Sequence, residues 1–166
     1  TSVGLSVRPR EAILVQDKTA QAMAIAMQVA ARVGDSGNVP VGAVVMVGDE
    51  IVARAGNLRE TLQDPTAHAE LLALRDASQR LGTWRLEEAT MVVTLEPCAM
   101  CASAIVQARV KRVVYAASEP KTGAHKSIMR MFDGSATEVV QLSEAAPASA
   151  EMLARFFEDL RRRKRD

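Results

Sequence analysis

Aromatic residues are scarce in this chain: one Trp, one Tyr and three Phe among 166 residues. That scarcity argues against a long stacking platform for single-stranded nucleic acid, while leaving room for a pocket that takes one base. Charge of one sign is also missing, because 21 Lys and Arg meet 20 Asp and Glu for a formal net charge of +1. No global basic field therefore marks a nucleic-acid binder. No apolar run is long enough to span a bilayer. Internal repeats, low-complexity blocks and a linker dividing two domains are likewise missing. Thr1 to Arg10 lacks the order of a secretory signal, so a cytoplasmic protein is expected. Cysteine is limited to Cys98 and Cys101. Without a secretion signal a disulfide staple is a poor reading of that pair, which leaves a redox couple or a metal site.

What is present reads as one globular domain over residues 1–166, with 48% apolar and 25% charged residues. Ala22, Met23, Ala26, Met27 and Ala30 recur at helical spacing and predict a helix from about Lys18 to Val33. The methionines there read as core filler. Strands are expected at Val41–Val47 and Ile51–Ala55, joined at Gly48-Asp49 as a hairpin, with a polar loop from Leu58 to Thr66. A helix runs from Pro65–Ala67 to about Leu81, a strand covers Thr90–Leu95, and Pro97 opens a helix reaching Ala108. A strand at Lys111–Ala117, a short helix at Ser127–Phe132, a strand at Thr137–Leu142 and a last helix from Ala148 follow. Strands separated by helices imply a mainly parallel sheet, with the opening hairpin adding an antiparallel pair. The expected architecture is a three-layer α/β/α domain on a mixed sheet of about five strands.

Three residues suit a borderline metal ion: His68, Cys98 and Cys101. Cysteines at i and i+3 of a helix share a face, and a helix start favours thiolate over thiol. Three good ligands plus water is the catalytic zinc pattern, whereas a closed structural zinc takes four. Glu70 stands two residues beyond His68, off its face on a regular helix, so the ion must lie beyond the helix end. From there the carboxylate reaches a metal-held water and can carry its proton to a substrate nitrogen. A non-catalytic zinc-stabilised binding module and a dithiol oxidoreductase are the readings from other classes; the first needs a fourth protein ligand, and the second leaves His68 and Glu70 unexplained. The basic run Arg161 to Arg165 reads either as a solvated last helical turn or as a surface for phosphates.

The His-x-Glu and Pro-Cys-x-x-Cys pair resembles the cytidine/deoxycytidylate deaminase superfamily. Within it the chain is similar to the bacterial tRNA-specific adenosine deaminases. The matching stretches are Val39-Pro40-Val41-Gly42-Ala43-Val44, Asp64-Pro65-Thr66-Ala67-His68-Ala69-Glu70, Thr94-Leu95-Glu96-Pro97-Cys98-Ala99-Met100-Cys101 and Lys121-Thr122-Gly123-Ala124. That resemblance implies one Zn2+ per subunit on His68, Cys98 and Cys101, with Glu70 as the proton shuttle. It also implies a homodimer and hydrolysis of adenosine to inosine at the wobble position of a tRNA anticodon stem-loop. Asn57 matches a residue whose amide bonds the base, and Glu119 and Lys121 match a loop near the RNA. His125, Lys126 and the segment Ala145–Ala150 depart from the usual pattern, close to where substrate is chosen. A deaminase of a free base or nucleoside, of guanine or cytosine type, shares the zinc site and is the nearest alternative.

Overall fold

The computed structural model describes residues 9–166, with the side chains described from Lys18 onward. Helix α1 spans Pro9–Asp35 and begins earlier than the apolar periodicity suggests, with proline at its first position, where its missing N–H costs nothing. Strands β1 (Gly42–Val47) and β2 (Glu50–Gly56) form the expected hairpin. Short helix α2 (Arg59–Leu62) occupies part of the expected loop, followed by α3 (Ala69–Leu81) and β3 (Ala89–Leu95). Helix α4 (Ala99–Gln107), β4 (Arg112–Ala117), β5 (Glu138–Gln141) and α5 (Ala146–Arg163) complete the order.

Among the described residues one five-stranded sheet forms, in the order β2-β1-β3-β4-β5. It is mixed rather than mainly parallel: β1 pairs antiparallel with both β2 and β3, while β3–β4 and β4–β5 are parallel. The reason is the crossover through α3. That helix returns the chain parallel to β2 but beyond β1, so β3 settles beside β1 in the opposite sense.

Side chains alternate across the sheet with period two. Ala43 and Val45, Met91 and Val93, and Val113 and Tyr115 face one way, and pack with Ala73, Leu74 and Ala77 of α3 and Ala102 and Ile105 of α4. Val44, Met46, Val92, Val114 and Ala116 face the other way, onto Ala22, Met23 and Ala26 of α1. The result is three layers around two buried seams. Small residues let α1 sit close: a Cβ on Gly42 would stand 2.0 Å from the Ala26 carbonyl oxygen. Helix α5 is held to the sheet by buried Ser149, whose hydroxyl donates to the Thr94 carbonyl.

Two asparagines build the approach to the site. Helix α2 has no side-chain cap of its own. Instead the Asn57 side-chain oxygen accepts from the Arg59 amide at 3.0 Å, and the buried Asn38 oxygen accepts from Glu60 and Thr61 at 3.1 and 3.0 Å. Three amides left open by the helix start are thereby satisfied from a distance. The segment 127–132, read as a short helix in the sequence, is turns and bends, because the amides of Ile128 and Met129 donate to the Gly123 carbonyl and that of Met131 to Ala124, five to seven positions back rather than four.

Candidate active site

The cap positions of α3 and α4 meet at one end of the sheet. His68 is the N-cap residue of α3 and Cys98 that of α4, both with extended backbone and neither with a side-chain capping bond. Their side chains turn instead toward each other and toward Cys101, buried in the first turn of α4. His68 Nδ1 lies 3.6 Å from Cys98 Sγ and 3.4 Å from Cys101 Sγ. All three donor atoms fall within 4.8 Å of one another.

These separations fit zinc. Bonds of about 2.0–2.1 Å to nitrogen and 2.3 Å to sulfur, at a tetrahedral angle, place N and S about 3.6 Å apart. The electrostatics agree. The Cys98 thiol is held down to about 4, chiefly by its hydrogen bond with Cys101 and, against the effect of burial, by His68. Cys101 is pushed well above the usual thiol range, first by Cys98 and then by burial and Glu70. His68 is raised by its bond to Cys98. A divalent cation would take the place of the protons these groups share and relieve the conflict. Three protein donors is also the number found in catalytic zinc sites, which keep a fourth position for water.

Glu70, in the first turn of α3, is 4% exposed and is not one of the grouped donors. Burial pushes its carboxyl up to about 7, with the nearby Cys98 charge adding to the effect. It borders a cavity of about 210 Å³ together with His68, Cys98, Asn57, Glu119 and Thr122. That volume is below the ~300 Å³ at which pockets for drug-sized ligands begin, and suits one ring system.

The sequence-derived site residues are brought together unevenly. His68, Cys98, Glu70, Asn57 and Glu119 line the cavity, with Cys101 behind them. Lys121 does not line it; its backbone amide donates to the Glu119 carboxylate at 2.8 Å. Asn57 is buried and already bonded at both ends, its amide nitrogen donating to the Val39 carbonyl at 3.2 Å and its oxygen accepting from Arg59. One donor and one acceptor position of its amide remain. His125 lies outside the cavity wall, its Nδ1 2.9 Å from the Tyr115 hydroxyl.

Sequence reasoning missed Glu96 and Phe157, which also line the cavity. Glu96 is buried, and burial works against its charge, yet hydrogen bonds from Ser127, Lys126, His125 and Glu119 hold its carboxyl below the usual range. Its only signal was its place before Pro97-Cys98. Phe157 arrives from α5, and no local pattern announces that placement.

A buried acid beside three soft and borderline donors defines a metal-dependent hydrolase centre, with zinc the ion its donors fit. Residues 16–117 match the cytidine and deoxycytidylate deaminase zinc-binding region, and the chain belongs to that family. The tRNA-specific adenosine deaminase of Bacillus subtilis (strain 168) is 45% identical over 145 residues, covering 84% of this chain and 89% of that protein. A solved structure from work on A-to-I editing by tRNA:A34 deaminases at the wobble position of transfer RNA shares 41% identity and superposes with a TM-score of 0.71, covering 74% of this chain and 97% of that one. The guanine deaminase structure from Bacillus subtilis shares 38% identity with a TM-score of 0.57, covering 59% of this chain and 63% of that one.

Proposed function

We propose that this protein hydrolyses adenosine to inosine at the wobble position of a tRNA anticodon, as one deaminase unit over residues 1–166. The observation that carries the reading is buried Glu70 bordering the same small cavity as His68 and Cys98, with Cys101 completing their donor group, in a chain 45% identical to a tRNA-specific adenosine deaminase. His68, Cys98 and Cys101 would hold the zinc, which when bound would supply an activated water at neutral pH. Glu70 would carry two protons in turn from the attacking water, the first to ring nitrogen N1 and the second to the departing amine. The C6–N bond breaks, a C6–O bond forms, and ammonia leaves. Burial raises the Glu70 carboxyl and a bound dication would lower it again, opposing effects that suit a group which both takes and gives a proton. Asn57 offers its remaining amide positions to the base edge, and Glu119 with Lys121 faces the RNA around it.

An unpaired anticodon base enters such a pocket at lower cost than a base in a duplex. Helix α5 supports an RNA substrate. Arg161 and Lys164 lie one and two turns beyond Phe157, so a basic face leads away from the cavity rim. A second copy of the chain has a surface to meet in Ile128, Met129 and Met131, exposed by 55, 44 and 40% in the segment after the pocket loop. Among the described residues no helix is long and apolar enough to cross a membrane. Two thiols that work in the reduced state suit the cytoplasm.

Deamination of a free base is the second reading, favoured by the likeness to guanine deaminase over a smaller share of the chain. One experiment separates the two. Zinc-loaded protein is incubated with anticodon stem-loop RNA bearing adenosine at the wobble position, and separately with adenine, guanine and cytosine. Inosine in the RNA and matching ammonia are expected; ammonia from a free base alone would overturn the proposal.

A further inference from the structure

Glu119 and Thr122 reach the cavity from a segment, residues 118–127, without regular secondary structure. Its backbone is gathered around one buried carboxylate. Glu96, 2% exposed, accepts from the Glu119 amide at Oε1 (3.1 Å) and from the amides of His125, Lys126 and Ser127 at Oε2 (3.0, 3.1 and 3.2 Å). The Ser127 hydroxyl also donates to Oε1. An ionised carboxylate is acceptor-only with about four lone-pair positions, so five donors saturate it. Although Glu96 borders the cavity, its oxygens are committed to the loop.

Gly123 is the complement of this arrangement. A Cβ there would stand 2.5 Å from Glu96 Cδ and Oε2, and 2.5 Å from the Glu119 carbonyl oxygen. The adjoining backbone fastens the same loop to the metal-donor segment: the Ala124 amide donates to the Pro97 carbonyl at 2.8 Å, and Cys98 bridges Gly123. We propose that Glu96 is a positioning residue for substrate, whose carboxylate is the template that sets where Glu119 and Thr122 stand in the pocket. The choice of substrate in its test rests on the deaminase reading above.

Glu96→Gln keeps the shape but only one acceptor oxygen. With that oxygen on the His125–Ser127 amides, the new NH2 group opposes the Glu119 N–H, donor against donor. The Glu119 end of the loop is released while the other end stays bonded.

The test uses the full, zinc-loaded chain as wild type, Glu96→Gln and Ser127→Ala. It reads zinc content, kcat and KM on stem-loop RNA, and amide hydrogen exchange across 118–127 without substrate. For Glu96→Gln we expect wild-type zinc content and kcat within about threefold, with KM and Glu119 amide exchange each raised about tenfold, as loss of a charge-assisted bond implies. Ser127→Ala should move KM and Glu119 exchange the same way by a few-fold, and decides the matter if Glu96→Gln does not fold. Unchanged KM and exchange would overturn the proposal. So would zinc loss with a collapsed kcat and unchanged KM, which would mark Glu96 as a support of the metal donors. If wild type leaves RNA untouched, the tRNA reading falls, and the exchange measurements still decide the role of Glu96.

Discussion

Glu70→Gln should separate stability from catalysis in this protein. Burial raises the Glu70 carboxyl from an ordinary 4.5 to about 7. A rise of that size corresponds to roughly 3 kcal/mol against the charged form in the folded state. Because the folded value is the higher one, the stabilising contribution is complete below pH 4.5 and is lost as pH climbs through about 7. The neutral amide of Gln carries no such penalty. Stripped of zinc by a chelator, Glu70→Gln should therefore match wild type near pH 4 and exceed it near pH 8 by up to about 3 kcal/mol in urea unfolding. With zinc restored the gap should narrow, since a nearby dication favours the carboxylate. Activity should move the other way, with kcat falling about 10²–10⁴-fold as expected for loss of a general acid–base. A stability difference identical at the two pH values would refute the burial argument. Turnover retained at the wild-type rate would refute the proton-shuttle assignment. Zinc retained with all turnover lost would remove the non-catalytic zinc module as a reading.

Cys98→Ala and Cys101→Ala should each lose zinc, seen as metal content per chain, and fall in urea midpoint below zinc-loaded wild type, because ligation and folding are coupled. Asn57→Ala removes one bond to Val39 and one to Arg59. It should cost about 1–3 kcal/mol in urea unfolding and lower kcat/KM while zinc content holds; full activity would remove Asn57 from the site. Ser149→Ala leaves the Thr94 carbonyl without its α5 partner. Its thermal midpoint should fall by an amount equivalent to about 1–3 kcal/mol with kcat unchanged, and an unmoved midpoint would count against that docking bond.

Where structure follows from local pattern, the sequence is a good guide. The strands alternate or run apolar, the Cys98–Cys101 spacing marks a donor pair, and Pro97 marks where α4 begins, although it stands one residue ahead of the Cys98 cap rather than in the first turn. What escapes it is settled across distance. Helix α2 depends on Asn38, whose side-chain oxygen caps it from 22 and 23 positions away, so its own residues look like a loop. Segment 127–132 has helix-forming residues, but its amides are taken by the Gly123 and Ala124 carbonyls of a loop that is itself held by Glu96, some 30 positions earlier. The antiparallel contact of β1 with β3 follows from where a crossover lands, which periodicity does not encode. Lys121, expected in a loop near the RNA, lies outside the cavity, and its backbone amide holds the Glu119 carboxylate, a role no motif announces.

His68 and Cys98 occupy the positions where most helices place a serine, threonine or aspartate to close their ends. In this protein no side-chain oxygen sits there, because the imidazole and thiol are turned to the donor group they share with Cys101. A replacement such as Cys98→Asp would tighten α4 and disarm the enzyme with the same atom. Selection for a sturdier fold and selection for turnover thus pull in opposite directions at these two positions.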